Sequence, residues 1–285
     1  MANSLPSIVG VLGGGRMGAG VAHAFLTSGA QVVVVEQNDE AAAAARERVL
    51  RDVAGSVERG KVSGTTAEYE AKLTVTTDQA AFAETGLVIE AVPEDFDLKV
   101  ASLQSVERHL ADDAYLATNT SSMSVDGLAE QLKRPQNFCG LHFFNPVPAS
   151  KLVEVVIGNQ TSDELKALTA QWTEGIGKTP VTVNDAPGFA SSRLGLALGL
   201  EAIRMVEEGV ASAEDIDNAM VLGYKHPIGP LALTDIVGID VRLNIAEYLE
   251  SKLGPRFSPP QLMRDMVARG DLGRKSGKGF YDYND

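Results

Sequence analysis

The stretch "IVGVLGGGRMGAGVAHAFLTSGAQVVVVE", residues 8–36, decides how this chain folds. Ile8 to Leu12 is a short apolar run with the character of a strand. It leads into Gly13-Gly14-Gly15-Arg16-Met17-Gly18, which matches G-x-G-x-x-G. Met17, Val21, Ala24 and Phe25 then recur at helical spacing, and Gly29 ends that helix. Val32 to Val35 is a β-branched strand, closed by Glu36 18 residues after Gly18. The glycine pattern alone is weak evidence. Set between a strand and a helix, with a carboxylate at the end of the next strand, it reads as a dinucleotide-binding βαβ unit. Gly13 permits the tight turn, Gly15 lets a pyrophosphate approach the backbone, and Gly18 lets helix and strand pack closely. The helix N-terminus offers N–H groups and partial positive charge to that anion. Glu36 can accept a ribose hydroxyl and repels a 2′-phosphate, so the unit predicts NAD rather than NADP.

Beyond this unit, residues 39–72 carry a helical pattern interrupted by "ERGKVSG", which predicts two helices joined as a hairpin. Short strands follow at "LTVTT" and "GLVIEAV", then a helix over about 98–110 and a strand and loop at "AYLATNTSS". "SVDGLAEQL" reads as a short helix with Ser124 as N-cap, "FCGLHFFN" and "LVEVVIG" as strands, 163–175 as a helix and "TPVTVND" as a strand. After "DAPGF" the pattern changes, and residues 190–253 read as almost wholly helical. Ser212 with Asp215 reads as a capping box there. The expected architecture is α/β: a dinucleotide-binding domain over 1–186 with an inserted helical hairpin, then an all-α domain over 187–285.

The bulk composition narrows the partners. A net charge of −13 over 285 residues argues against nucleic acid. No apolar run is long enough to span a bilayer, and the N-terminus lacks the basic and apolar regions of a signal peptide. The single cysteine, Cys139, cannot form an internal disulfide. The expectation is a cytoplasmic protein with no membrane partner and no bound metal.

Three constellations carry chemistry. His142 lies in the apolar run "FCGLHFFNPV", and Glu154 lies among apolar neighbours in the next strand. Burying either group alone is costly, and a His–Glu pair would satisfy both and orient the imidazole for proton transfer. "TNTSS", residues 118–122, presents polar groups at the C-terminal edge of the sheet, where open α/β folds bind ligands. Between Arg46 and Lys61 five basic residues outnumber three acidic ones, an anchor for an anionic substrate handle.

Taken together these residues resemble the short-chain L-3-hydroxyacyl-CoA dehydrogenase family, and within it the bacterial 3-hydroxybutyryl-CoA dehydrogenases. The resemblance covers nearly the whole chain. It rests on "TNTSSMSVDGLA", "GLHFFNPVPASKLVEVV", "GKTPVTVNDAPGF", "EEGVASAEDIDNAM", "HPIGPLALTDIVGID" and "LGRKSGKGFYDY", in family order. It implies a Rossmann-type domain whose hairpin grips CoA and a helical domain that forms a homodimer. It implies His142 as general acid/base oriented by Glu154, with Ser121 on the substrate oxygen. It sets Gly13, Gly15, Met17, Gly18, Glu36, Glu94, Lys99, Asn119 and Asn145 about the NAD cofactor. It brings Ser121, Asn145, Lys61 and Arg59 to the acyl-CoA substrate. In one place the chain departs from the family. Where the family carries an asparagine after "PGF", this sequence reads "PGFASSRL", and Ser192 takes that active-site position with a shorter side chain and no amide. Two alternatives stay open at this point: a dehydrogenase for another hydroxy acid or CoA ester, and a weakly catalytic dinucleotide-binding protein.

Overall fold

Strands of four to six residues, each followed by a helix or loop, build one eight-stranded sheet in a computed structural model that describes residues 5–284. The strands are β1 (Ile8–Leu12), β2 (Gln31–Val35), β3 (Leu73–Thr76), β4 (Leu87–Glu90), β5 (Tyr115–Thr118), β6 (Phe138–Phe143), β7 (Leu152–Ile157) and β8 (Thr179–Asn184). Their order is β3-β2-β1-β4-β5-β6-β7-β8. The first six run parallel, as the Rossmann-type reading requires. β7 then runs antiparallel to β6, and β8 runs parallel to β7. The order reverses between β1 and β4, which opens a crevice outside the carboxyl ends of those two strands.

The central strands are apolar because both faces of the sheet are covered there, whereas β8 at one edge is largely exposed. Val9, Val11, Val32, Val34, Leu87 and Ile89 are essentially inaccessible, each worth about 1.5–3 kcal/mol of burial. α1 (Arg16–Thr27) packs on this sheet with nine of its twelve residues buried, several of them glycine or alanine. α2 (Asp39–Glu58) lays Ala45, Val49, Val53 and Ser56 inward at helical spacing, and Asn38 caps it by accepting from the Ala41 N–H. The hairpin expected over 39–72 has one full arm only. Its second arm is the single turn α3 (Thr66–Glu70), because Gly60 and Gly64 take left-handed backbone conformations that end the helical run. A capping box at Thr65 and Glu68, unread in the sequence, starts α3. α4 (Phe96–Glu107), α5 (Val125–Ala129) and α6 (Asp163–Gly175) complete the layers, with Ser124 capping α5.

The chain divides into two compact units, Met1–Ala186 and Pro187–Asp285. The second is helical: α7 (Ser191–Glu207), α8 (Ala213–Asn218), α9 (Pro230–Val237), α10 (Ile239–Leu253) and α11 (Gln261–Arg269). Its own core includes Leu200, Ile203, Leu231, Ile239, Leu249 and Met263. Ser212 caps α8 by accepting from the Asp215 N–H. The reciprocal half of the expected box does not form, since the Asp215 carboxylate accepts the Ser212 hydroxyl instead of its backbone N–H. The C-terminal tail is tied down by two buried carboxylates. Asp235 accepts from the Phe280 and Tyr281 N–H groups and the Tyr283 hydroxyl, and Asp217 accepts from the Tyr281 hydroxyl.

Candidate active site

The glycine loop after β1 shows which of its residues serve the fold and which serve a ligand. Gly13 has φ +89°, a conformation that favours glycine. A Cβ on Gly18 would stand 1.8 Å from the Gly13 carbonyl oxygen, so this position must be bare for α1 to meet the loop. A Cβ on Gly14 would stand 2.3 Å from the Ala45 Cβ on α2. Gly15 is different: a Cβ there would meet nothing within 4 Å. No contact within the protein explains that bare backbone, and it lies where α1 begins without any side-chain cap. The space in front of it is the cradle a pyrophosphate needs.

That cradle belongs to a cleft of about 620 Å³ at the crevice between β1 and β4. Gly13, Gly15, Met17 and Glu36 line one side, and Ala91, Val92 and Pro93 the other. Glu36 is held in place by two backbone donors, the Gly14 N–H at 2.6 Å and the Gln37 N–H at 3.1 Å. The donor set therefore fits a dinucleotide, with Glu36 at the end of β2 for a ribose.

Glu94 and Ser121 come together at the carboxyl ends of β4 and β5. Glu94 Oε1 accepts from the Thr120 hydroxyl at 2.5 Å and from the Ser121 N–H at 3.0 Å. Lys99, the second residue expected beside the dinucleotide, is wholly buried. Its ammonium lies 2.8 Å from Glu90 Oε1 and 3.3 Å from Glu94 Oε2, because a fully desolvated cation requires carboxylate partners. Its ammonium also donates, at 3.3 Å, to the carbonyl of Val92, which lines the cleft. The Asn119 side-chain oxygen is likewise engaged, accepting from the Phe143 N–H at 2.8 Å, so it braces the strand that carries His142.

The antiparallel pairing of β6 with β7 sets His142 directly opposite Glu154. His142 Nδ1 lies 2.8 Å from Glu154 Oε2, with His142 7% and Glu154 0% exposed. The Phe144 ring lies 4.3 Å from the imidazole. The loop between the two strands is held from below by Lys178, whose ammonium donates to the Val147 carbonyl at 2.6 Å and the Ser150 carbonyl at 2.5 Å. Burial pushes the Lys178 pKa down.

The same loop forms one wall of a second cleft, of about 590 Å³. Asn145 to Ala149 face Arg16, Arg48, Arg51, Arg59 and Lys61, with Asp52 the sole acid in the lining. Lys61, Arg59 and Asn145 thus meet in one cavity. Of the five basic residues singled out in the sequence, Arg46 is spent elsewhere, 2.7 Å from Glu70. Arg16, which no sequence argument singled out, lines both clefts. Glu90 was also missed, although a carboxylate ending the apolar run "LVIE" is the same signal that drew attention to Glu154. Ser192 is the second residue of α7 in the helical unit. Among the described residues no group of three or more His, Cys, Asp or Glu could hold a metal ion, and no helix is long and apolar enough to cross a membrane.

Comparison with known proteins agrees with this geometry along the whole chain. Residues 8–186 match the family model described as "3-hydroxyacyl-CoA dehydrogenase, NAD binding domain", and residues 188–283 that described as "3-hydroxyacyl-CoA dehydrogenase, C-terminal domain". A probable 3-hydroxybutyryl-CoA dehydrogenase of Deinococcus radiodurans is 42% identical over 275 residues, covering 96% of this chain and 99% of that protein. The 3-hydroxybutyryl-CoA dehydrogenase of Mycobacterium tuberculosis is 41% identical over 279 residues, covering 96% of this chain and 98% of that protein. The crystal structure of (S)-3-hydroxybutyryl-CoA dehydrogenase from Ralstonia eutropha superposes with a TM-score of 0.94 at 39% identity, covering 99% of this chain and 100% of that one. An NAD-type cleft, a buried His–Glu pair and full-length similarity at this level converge on one conclusion: the chain belongs to the 3-hydroxyacyl-CoA dehydrogenase family.

Proposed function

We propose that this protein interconverts (S)-3-hydroxyacyl-CoA and 3-oxoacyl-CoA with NAD, and that its substrates are short, 3-hydroxybutyryl-CoA among them. The observation that carries the reading is the registered His142–Glu154 pair, with Nδ1 and Oε2 2.8 Å apart, on the strands whose connecting loop walls a cation-lined cleft. A cleft with five cations and one acid suits the phosphates of CoA. A free hydroxy acid, the rival substrate, carries a single carboxylate and would need one of these cations, not five.

The roles follow from the chemistry. When bound, NAD supplies the acceptor for the hydride that leaves C3. His142 takes the proton of the 3-hydroxyl at Nε2, since Nδ1 is engaged with Glu154. Glu154 stabilises the imidazolium that results, and in the reverse direction His142 returns the proton to the developing alkoxide. The Ser121 hydroxyl donates to that oxygen as charge builds on it. Gly15 and the start of α1 receive the pyrophosphate, Glu36 a ribose, and Arg48, Arg51, Arg59 and Lys61 the CoA phosphates.

The protein is further read as a cytoplasmic homodimer. The helical unit exposes Leu194, Leu222 and Tyr224 by more than 70% each, apolar surface suited to an obligate partner. Cys139 is buried with its thiol pushed up to about 12, so it asks nothing of the redox compartment.

The deciding experiment follows NADH oxidation at 340 nm with acetoacetyl-CoA, beside free acetoacetate and beside NADPH. Fast turnover with the CoA ester and NADH alone is the expected result. Bound NADH without turnover of any 3-oxoacyl-CoA would leave a dinucleotide-binding protein and remove the enzyme reading.

A further inference from the structure

Glu90 closes β4 and is 0% exposed, yet it lines neither cleft. Its carboxylate is fully used. Oε1 accepts from the Val92 N–H at 2.7 Å and from the Lys99 ammonium at 2.8 Å, and Oε2 accepts from the Thr118 hydroxyl at 2.6 Å. Lys99 is equally buried and reaches on to Glu94 Oε2 at 3.3 Å. Glu94 in turn accepts at Oε1 from the Thr120 hydroxyl, the Ser121 N–H and, at 3.4 Å, the Ser121 hydroxyl. One line of hydrogen bonds and ion pairs therefore runs from the carboxyl end of β4 through Lys99 and Glu94 to Ser121.

We infer that Glu90 is a positioning residue for the reaction, fixing Ser121 through Lys99 and Glu94. The inference rests on the reading above that Ser121 meets the reacting oxygen. The division of charge explains why Glu90 matters. One buried ammonium is shared by two carboxylates, and Glu90 is the nearer partner by 0.5 Å, the difference between 3.3 and 2.8 Å. Glu94 meets the ammonium through Oε2 at 3.3 Å and meets Thr120 and Ser121 through Oε1. Neutralise Glu90 and the ammonium is left with Glu94 as its one anionic partner. Glu94 then turns both oxygens to the cation and releases Ser121. A hydrogen-bond donor misplaced by a fraction of an ångström is least effective in the transition state, where its bond should be strongest.

The test is a double-mutant cycle of Glu90→Gln with Ser121→Ala in the full-length protein, read as kcat and KM for acetoacetyl-CoA. Ser121→Ala alone is expected to lower kcat about 10²-fold. Glu90→Gln alone is expected to lower kcat about tenfold or more, with KM for both substrates within about twofold. In the Ser121→Ala background the effect of Glu90→Gln should vanish, because the group it positions is gone. A Glu90→Gln loss that persists in full in that background would overturn the inference, since a general scaffold role adds independently. So would unchanged kcat in Glu90→Gln. If Glu90→Gln does not fold, Thr118→Val removes the other anchor of the same carboxylate and is run through the same cycle with the same criteria. The two readings fail separately. Full turnover in Ser121→Ala removes Ser121 from the chemistry and the relay with it. A damaged Ser121→Ala whose effect is additive with Glu90→Gln removes the relay alone.

Discussion

His142 and Glu154 are direct cross-strand partners, set opposite each other by the antiparallel register of β6 and β7 and joined Nδ1 to Oε2 at 2.8 Å. Two rigid, buried strands hold this pair, so neither side chain needs a mobile loop to find the other. Replacing His142 by alanine should lower kcat about 10²–10⁴-fold. Glu154→Gln keeps the shape and an acceptor for Nδ1 while losing the charge, and should lower kcat/KM about 10²-fold with NADH affinity unchanged. Steady-state kinetics beside a fluorescence titration of NADH separates the two effects. Turnover of His142→Ala within a few-fold of the parent would remove the acid/base assignment.

The glycine loop makes opposite predictions at neighbouring positions. Gly18→Ala forces a Cβ to within 1.8 Å of the Gly13 carbonyl and should cost about 1–3 kcal/mol or more of stability, seen as a lowered Tm. Gly15→Ala meets nothing in the protein and should leave Tm unchanged. It should instead weaken NADH binding about tenfold or more by filling the cradle. A shared loss of stability would show that Gly15 serves packing after all.

On the proposed reading, Glu36 carries the choice between the two nicotinamide cofactors. Glu36→Gln retains an acceptor for the Gly14 N–H, 2.6 Å away, but no longer repels a 2′-phosphate. The ratio of kcat/KM for NADH to that for NADPH should fall about tenfold or more. An unmoved ratio would place the discrimination on another residue.

The cation-lined cleft should act on KM. Arg51→Ala and Lys61→Ala should each raise KM for acetoacetyl-CoA about fivefold with kcat nearly constant, and KM should climb with ionic strength. An acetoacetyl thioester of pantetheine, which lacks the nucleotide phosphates, should be indifferent to both changes. Equal sensitivity of the two thioesters would argue against this cleft as the nucleotide site.

His23, on α1, should give the fold an acid-sensitive component. Its Nε2 lies 2.9 Å from the Ser56 hydroxyl on α2, its Nδ1 is buried without a partner, and burial holds its pKa below the ordinary 6.5. The unfolded chain then takes up the proton first. The stability His23 contributes is present above pH 6.5 and is lost as the pH falls toward the lowered folded value. Thermal unfolding at about pH 7.5 and about pH 5.5 should show a drop that is smaller in His23→Gln. Parallel drops in both proteins would clear His23 of this role.

Much of the first unit was legible in local sequence because its signals are local. A strand, G-x-G-x-x-G, a helix and a strand ending in Glu36 specify a βαβ unit within 29 residues, and turn glycines, caps and apolar periods mark the elements that follow. Burial cost alone pointed to His142 and Glu154 as partners across 12 residues. What the sequence by itself determined, then, was the kind of domain, the cofactor class and the two buried groups that had to find each other. The tertiary structure decided the rest. The β6–β7 register put those groups face to face, an ion pair with Glu70 on α3 drew Arg46 away from the cations that line the cleft, and common burial joined Lys99 to Glu90 and Glu94. The physical reason is the same in each case. A charge in a sequence carries no address, and its partner is chosen by which groups the packed core deprives of water together.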